Sequence, residues 1–476
     1  MNEALCHLSA TDLRAAIAAR DISPTEAAEA ALARAERLQP ELNCFITICR
    51  EHALQQAARV ERALAHGEPA GLLAGVPLTV KDLVNTAGVR TTFGSLLAAD
   101  NVPTEDAVAM ARLRDAGAIL IGKTTTPEYG AKSLTDAPLF GRTRNAWSAE
   151  RTSGGSSGGA AVAVACGIAP LAVATDGGGS TRIPAACNGV VGLKQGNGVI
   201  PHSQVQDAFA NYTYVTPMTR TVADTALMLQ VMAGPHDSDP WTIGFSVPDY
   251  LAAARAEGDL RGTRILFCAT PPSRRISADV AAAFDRSLHR LADLGADLSE
   301  ISGDGFDIEP LWRAINHTSW RARFGPMAAR DAARMSPSLL RQLALAAQVS
   351  GEDYQVALFG RTALFRHLQS LLRTHDFLVT PTLSRTALPI EQDLFAPIEI
   401  DGTEFADLRS NWFPWTMVFN MTGHPAISLP CGFGSDGMPI GLQVAGRFRA
   451  EPALLRLAAL FEAASGLLSR WPAIAA

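Results

Sequence analysis

Lysine is nearly missing from this chain. Of 41 basic residues only Lys81, Lys123, Lys132 and Lys194 are lysines, and every later cation is arginine. Arginine does not give up its proton in proteins, whereas a buried lysine amine does. The four retained lysines are therefore candidates for a neutral amine, with a codon bias toward arginine as the plain alternative. Charge is also sparse, at 18% of residues with a net charge of −6, which excludes a general nucleic-acid surface. No apolar run reaches the ~20 residues that span a bilayer. The first twenty residues carry acidic side chains and lack a signal-peptide core. The seven cysteines are scattered, odd in number and without a CxxC pair. That pattern fits a reducing cytoplasm better than a disulfide scaffold or a zinc site.

The chain instead has apolar material, at 47% of 476 residues, enough for a large core. Apolar strand-like runs alternate with helical stretches closed by glycine, an α/β pattern. Residues 1–70 read as helical, with Ser23-Pro24-Thr25-Glu26 as an N-cap signal. Strand-like runs end at Val80-Lys81-Asp82, at Ala118–Gly122 and at Leu171–Thr175. Further ones follow at Thr263–Cys268, Ala296–Ile301, Asp376–Thr382, Pro425–Cys431 and Pro439–Val444. No repeat, low-complexity tract or clean linker interrupts them. The expected architecture is one large α/β domain over residues 1–476, a mixed central sheet covered by helices on both faces. Within it we expect a helical part (1–70), a catalytic core (71–234), a variable peripheral section (235–375) and C-terminal core strands with a helix (376–476).

The most unusual stretch runs from Arg151 to Arg182. Two clusters, Gly154-Gly155-Ser156-Ser157-Gly158-Gly159 and Gly177-Gly178-Gly179-Ser180, flank the apolar runs AAVAVAC and LAVAT. Glycine lets a backbone approach a ligand closely at an entropic cost, and flexible linkers are seldom bounded so tightly by core-like sequence. A P-loop would need a lysine after its cluster, a dinucleotide fingerprint GxGxxG, and an α/β-hydrolase elbow GxSxG; none is present. An SxxK pattern fails at all four lysines, and no HExxH pair exists. A histidine base brought in by the fold stays open. The remaining reading is a serine activated by a lysine. Ser180 follows three glycines at a strand end, where successive N–H groups can form an oxyanion hole. Lys81, at the end of an apolar strand, can be held neutral by burial.

These residues resemble the amidase signature family of amide hydrolases. The resemblance runs through Val80-Lys81-Asp82, Thr91–Ser95, Gly122-Lys123-Thr124, Gly154–Gly159, Thr175–Arg182, Gly189–Lys194, Gly423–Pro430 and Gly441-Leu442-Gln443, and is weakest over 235–375. It implies a Ser-Ser-Lys triad with Ser180 as nucleophile, Ser156 as bridging serine on a cis peptide, and Lys81 as base. It also implies an oxyanion hole from the N–H groups of Gly177, Gly178, Gly179 and Ser180, with no metal or cofactor. The implied reaction cleaves a small carboxylic amide, aryl or alkyl or urea-like, through a Ser180 acyl-enzyme. Thr135 and Asp136 are expected to contact substrate, and Phe413 and Trp415 to line an acyl pocket. Asp176 and Arg182 are expected to pair as scaffolding, and Lys123 and Lys194 to be structural.

The chain departs from common family patterns at Gln195-Gly196, Ala146 and Thr216, all in loops around the cleft. The glutamine-using A subunit of a tRNA amidotransferase is the rival within the family. Such subunits carry an aspartate where this chain has Phe413, three residues before Thr416. A phenylalanine cannot hold glutamine's α-ammonium. A non-catalytic scaffold is the other alternative, against which Lys81, Ser156 and Ser180 are all retained. The expected partner is a small amide, with no nucleic acid and no membrane; homodimers are common in such enzymes.

Overall fold

The runs Pro77–Lys81 (β2), Ile119–Thr124 (β3) and Leu171–Asp176 (β6) carry apolar residues at successive positions, as strands covered on both faces do. They lie side by side in the computed structural model, which describes residues 3–255, 257–271 and 274–475. Around them run β1 (Phe45–Ile48), β7 (Val191–Lys194), β8 (Tyr214–Thr219), β9 (Arg264–Phe267), β10 (Asp297–Glu300), β11 (Phe377–Pro381), β14 (Ala426–Phe433) and β15 (Pro439–Gly446). Together they form an 11-stranded sheet in the order β1-β3-β2-β6-β8-β7-β14-β15-β11-β9-β10. Two short ribbons stand apart, β4 (Asp136–Ala137) with β5 (Gly141–Arg142), and β12 (Ile398–Ile400) with β13 (Thr403–Phe405).

The sheet is mixed. β2 runs parallel to both β3 and β6, and β9 runs parallel to both β10 and β11; β6, β8, β7, β14, β15 and β11 are joined by antiparallel pairings. Strand alternation sends Leu78, Val80, Leu171 and Val173 to one apolar cluster and Ile119, Ile121, Ala172 and Ala174 to another. The first cluster packs on helices Val108–Asp115, Val222–Met232 and Glu451–Ser465, the second on Pro24–Leu42 and Gly158–Ala165. Helix Gly158–Ala165 is apolar all round, and all eight of its residues are buried.

One expectation needs correction and two strands were missed. The N-terminal 70 residues are not all helical, since β1 forms the sheet edge beyond β3. The strands β7 and β8 had no clear signal. β7 is four residues long and contains Gly192, while Pro217 inside β8 reads as a strand breaker. β8 nonetheless lies between β6 and β7, with Pro217 opposite Val173. Among the described residues no helix is long and apolar enough to cross a membrane.

The N-terminal helix Ala10–Ala19 is tied to the core by one carboxylate. Asp224 accepts hydrogen bonds from the N–H groups of Ala10 (3.0 Å) and Thr11 (2.9 Å) and from the Thr11 hydroxyl (3.0 Å). Asp224→Ala is expected to lower stability by about 2 kcal/mol, since buried donors then lack a charged acceptor. Urea unfolding measures this; an unchanged midpoint would contradict it.

Candidate active site

Parallel neighbours end at the same edge of a sheet, so β2 and β6 deliver Lys81 and Thr175 to one place. The loop before helix Gly158–Ala165 brings Ser156 and Ser157 to the same point. Lys81 is fully buried. Its Nζ lies 2.7 Å from Ser156 Oγ, 2.8 Å from Ser157 Oγ and 2.8 Å from Thr175 Oγ1. No carboxylate comes within ion-pair distance of it among the described residues. Burial therefore outweighs the one opposing charge, that of Asp176, and holds the amine well below the ordinary lysine range. Three oxygens around a neutral amine satisfy both its N–H groups and leave its lone pair facing a hydroxyl proton.

Glycine is required where this loop presses on its surroundings. The Gly155–Ser156 peptide is cis. A Cβ on Gly155 would lie 2.6 Å from the Ser133 carbonyl carbon. Thr135 Oγ1 holds the turn by donating to the Gly154 carbonyl (2.7 Å) and accepting from the Gly158 N–H (3.1 Å).

Ser180 stands on the loop between β6 and helix Arg182–Asn188. An ion pair sealed from solvent fixes that loop. Arg182 donates to Asp176 through Nε and Nη2, both at 3.0 Å, and both side chains are fully buried. The guanidinium also donates to Gln443 Oε1 (2.8 Å) and Asn420 Oδ1 (2.6 Å). Asp176 further accepts from Asn420 Nδ2 (2.9 Å) and from the N–H groups of Gly179 (2.7 Å) and Thr181 (3.2 Å). Its carboxyl is thereby held well below the usual carboxylate range by Arg182 and these donors, against the opposing effect of burial.

Ser156 and Ser180 line one cavity of about 180 Å³. The Ser180 hydroxyl makes no hydrogen bond among the described residues and is open to that space. Gly177, Gly178 and Ser180 present N–H groups without a protein acceptor among the described residues. Gly179 does not, because its N–H is spent on Asp176. The sequence reading of Gly179 as an oxyanion donor is corrected on that ground. Its φ of 122° and the 2.5 Å that would separate an added Cβ from Thr416 Oγ1 explain why glycine stands there.

The substrate-contact expectations divide. Phe413 lines the cavity. Trp415 does not; it is buried in the core, its ring 5.3 Å from that of Phe306. Thr135 is used up in holding the Ser156 turn, and Asp136 is paired with Lys132 at 2.6 Å. Neither lines the cavity, whereas their neighbours Lys132 and Ser133 do. Lys123 and Lys194 lie elsewhere in the core. Lys123 donates to Val84 O and Thr86 Oγ1, and Lys194 to Phe419 O.

The largest omission is the wall supplied by helix Glu309–Asp331. Trp312, Asn316, Trp320, Arg323 and Phe324 line the cavity at one-turn intervals along it. Trp312 Nε1 donates to the Gly177 carbonyl at 2.9 Å, joining that wall to the Ser180 loop. The spacing was a signal, but nothing marked this helix as inward-facing. His202 also lines the cavity, and burial holds its imidazole neutral with a pKa of about 4. Among the described residues, no group of three or more His, Cys, Asp or Glu side chains could hold a metal ion.

The amidase family model matches residues 26–455. The chain is 38% identical over 468 residues to an acylamidase of Rhodococcus erythropolis, covering 98% of this chain and 97% of that one. It is 35% identical over 488 residues to the glutamyl-tRNA(Gln) amidotransferase A subunit of Acidothermus cellulolyticus, covering 97% and 95%. A bacterial aryl acylamidase of the amidase signature family superposes with a TM-score of 0.89 at 28% identity, over 98% of this chain and 97% of that one.

The ion pair beneath the Ser180 loop makes its own prediction. Asp176→Asn, which leaves the Arg182 charge buried without a counter-charge, is expected to cost about 3–5 kcal/mol. Chemical denaturation at pH 7 checks it; a loss below about 1 kcal/mol would show the pair is not the loop's anchor.

Proposed function

The chain belongs to the amidase family and hydrolyses amide C–N bonds, and from that premise we propose a Ser180 acyl-enzyme driven by Lys81 through Ser156. The observation that carries this reading is a buried lysine without a counter-ion, 2.7 Å from a serine that shares a cavity with Ser180. Serine is a weak nucleophile at neutral pH and needs a base in reach of its proton. The Lys81 amine, kept neutral by burial, takes the Ser156 proton as Ser156 takes that of Ser180. Ser180 Oγ then attacks the amide carbonyl. The developing oxyanion is met by the free N–H groups of Gly177, Gly178 and Ser180, an interaction worth a few kcal/mol in the transition state. The proton returns through Ser156 to the leaving nitrogen, the C–N bond breaks, and amine or ammonia departs. Water, activated by the same relay, cleaves the ester to the acid and free Ser180.

The substrate is a small aryl or alkyl amide. Phe93, Tyr129, Trp312, Trp320, Phe324 and Phe413 give the cavity an aromatic lining suited to an apolar group. All seven cysteines are free thiols, in keeping with a reducing cytoplasm.

The amidotransferase relatives raise glutamine as a second substrate. Among the described residues the cavity lining offers no free carboxylate for its α-ammonium. Phe413 stands on the lining, and Asp176 is committed to Arg182.

Ser180→Ala is expected to lower kcat for release of 4-nitroaniline from its acetyl anilide by at least about 10⁴-fold. An active Ser180→Ala protein would end this assignment. Lys81 must be neutral to act, and burial lowers its pKa. Thus kcat/KM is expected to fall as pH drops through that lowered value and to be flat above it. A Lys81→Ala variant whose residual rate kept the same acid limb would argue against Lys81 as the base.

A further inference from the structure

We propose that the amide this enzyme is built for carries a carboxylate, received by the guanidinium of Arg409 in the cavity wall. The inference rests on the cavity being the amidase site.

The ionisable groups of the cavity lining are unevenly committed. Asp176 is spent on Arg182, and Lys132 on Asp136. Beside the neutral His202 imidazole and the Tyr129 phenol, what remains is two guanidiniums, Arg323 and Arg409, and no unpaired carboxylate among the described residues. Arg409 is 6% exposed, yet no carboxylate lies within 4.0 Å of it among the described residues. Two acidic residues bear on its charge, Glu309 and Asp407. Arg313 takes both, at 2.7 and 2.6 Å. Among the described residues the Arg409 side chain makes one hydrogen bond, from Nη2 to Gln342 Oε1, although a guanidinium offers five N–H groups in a planar fork. Its other N–H groups are left for an acceptor in the cavity that Arg409 lines.

The neighbours fit the same ligand. Asn316 lines the cavity; its Oδ1 accepts from Tyr212 (2.9 Å), while its Nδ2 has no partner among the described residues. Arg409 sits 5.5 Å from the Trp312 ring, and Trp312 is bonded to the Gly177 carbonyl. One indole therefore separates the guanidinium from the Ser180 loop. A substrate of modest length spans that gap with its amide at Ser180 and its acid at Arg409. Arg323, with no hydrogen bond or ion pair among the described residues, adds positive potential to the same cavity. A carboxylate matches the guanidinium fork through two parallel charge-assisted bonds, which an aryl or alkyl end does not.

Two matched pairs test this and locate the acid. Glutaryl and hexanoyl 4-nitroanilide differ at the acyl end, and 4-acetamidobenzoate and 4-acetamidotoluene at the amine end. In at least one pair the acid is expected to have a kcat/KM at least about tenfold higher, mainly through KM, as one charge-assisted hydrogen bond would give. Arg409→Gln is expected to bring that ratio near one, and Arg409→Lys to restore part of it. With unmodified protein, benzoate is expected to inhibit competitively at least about tenfold more tightly than benzyl alcohol. Absence of acid preference in both pairs, a preference that survives Arg409→Gln, or equal inhibition by benzoate and benzyl alcohol would overturn the proposal. Hydrolysis of the neutral members alone would overturn it too while leaving the amidase reading standing, and hydrolysis of none of the four would bring down both.

Discussion

The Lys81 amine, buried without a counter-charge and held against two serines, sets the terms for the rest of this molecule. Lys81 is fully enclosed and faces three hydroxyls instead of a carboxylate. Desolvating an ammonium costs several kcal/mol, so the group sheds its proton rather than bearing that cost. A neutral amine of this kind requires a sheet covered on both faces, a lysine at a strand end, and serines pressed close by a glycine-rich turn. The parallel neighbours β2 and β6, the buried helix Gly158–Ala165 and the Thr135 bonds around Gly154 and Gly158 supply these conditions.

The second fixed point works by the opposite electrostatics. Asp176 and Arg182 are equally buried but fully paired, and their hydrogen bonds reach into β15 through Gln443 and the helix Thr416–Thr422 through Asn420. One loop is thus held by charge and the other by the Thr135 hydrogen bonds and close packing, and the cavity opens between them. Helix Glu309–Asp331 closes it with aromatic side chains and is itself anchored to the Gly177 carbonyl. On our reading the first two parts run the reaction, and this third wall selects the amide.

The parts legible in the sequence were those in which residue type has few alternatives. Glycine clusters, the scarcity of lysine and continuous apolar strands follow from backbone and burial constraints that act locally. They pointed to Lys81 and Ser180, and the family resemblance added Ser156; the fold brings Lys81 and Ser156 within hydrogen-bond distance. Contacts depending on orientation were not legible. Nothing in the order Gly177-Gly178-Gly179 tells which N–H turns toward Asp176. In Trp412-Phe413-Pro414-Trp415 the pattern does not separate the aromatic that faces the cavity from the one in the core. Pro217 concealed a strand that pairs on both sides, and nothing in the arginine-rich helix Glu309–Asp331 marked one face as inward. Its inward face is set by a long-range contact, Trp312 on the Gly177 carbonyl, that no local pattern encodes.

The central claim is that Lys81 is neutral when the enzyme works, and four lysines in 476 residues make it directly measurable. Protein labelled with ¹³C at the lysine ε-carbon gives four signals, of which the one lost in Lys81→Arg is assigned. That signal is expected to have the shift of a free amine throughout the pH range of full activity, and to move toward the ammonium value where kcat/KM declines. A Lys81 signal that stays at the ammonium position while the enzyme is fully active would contradict the account.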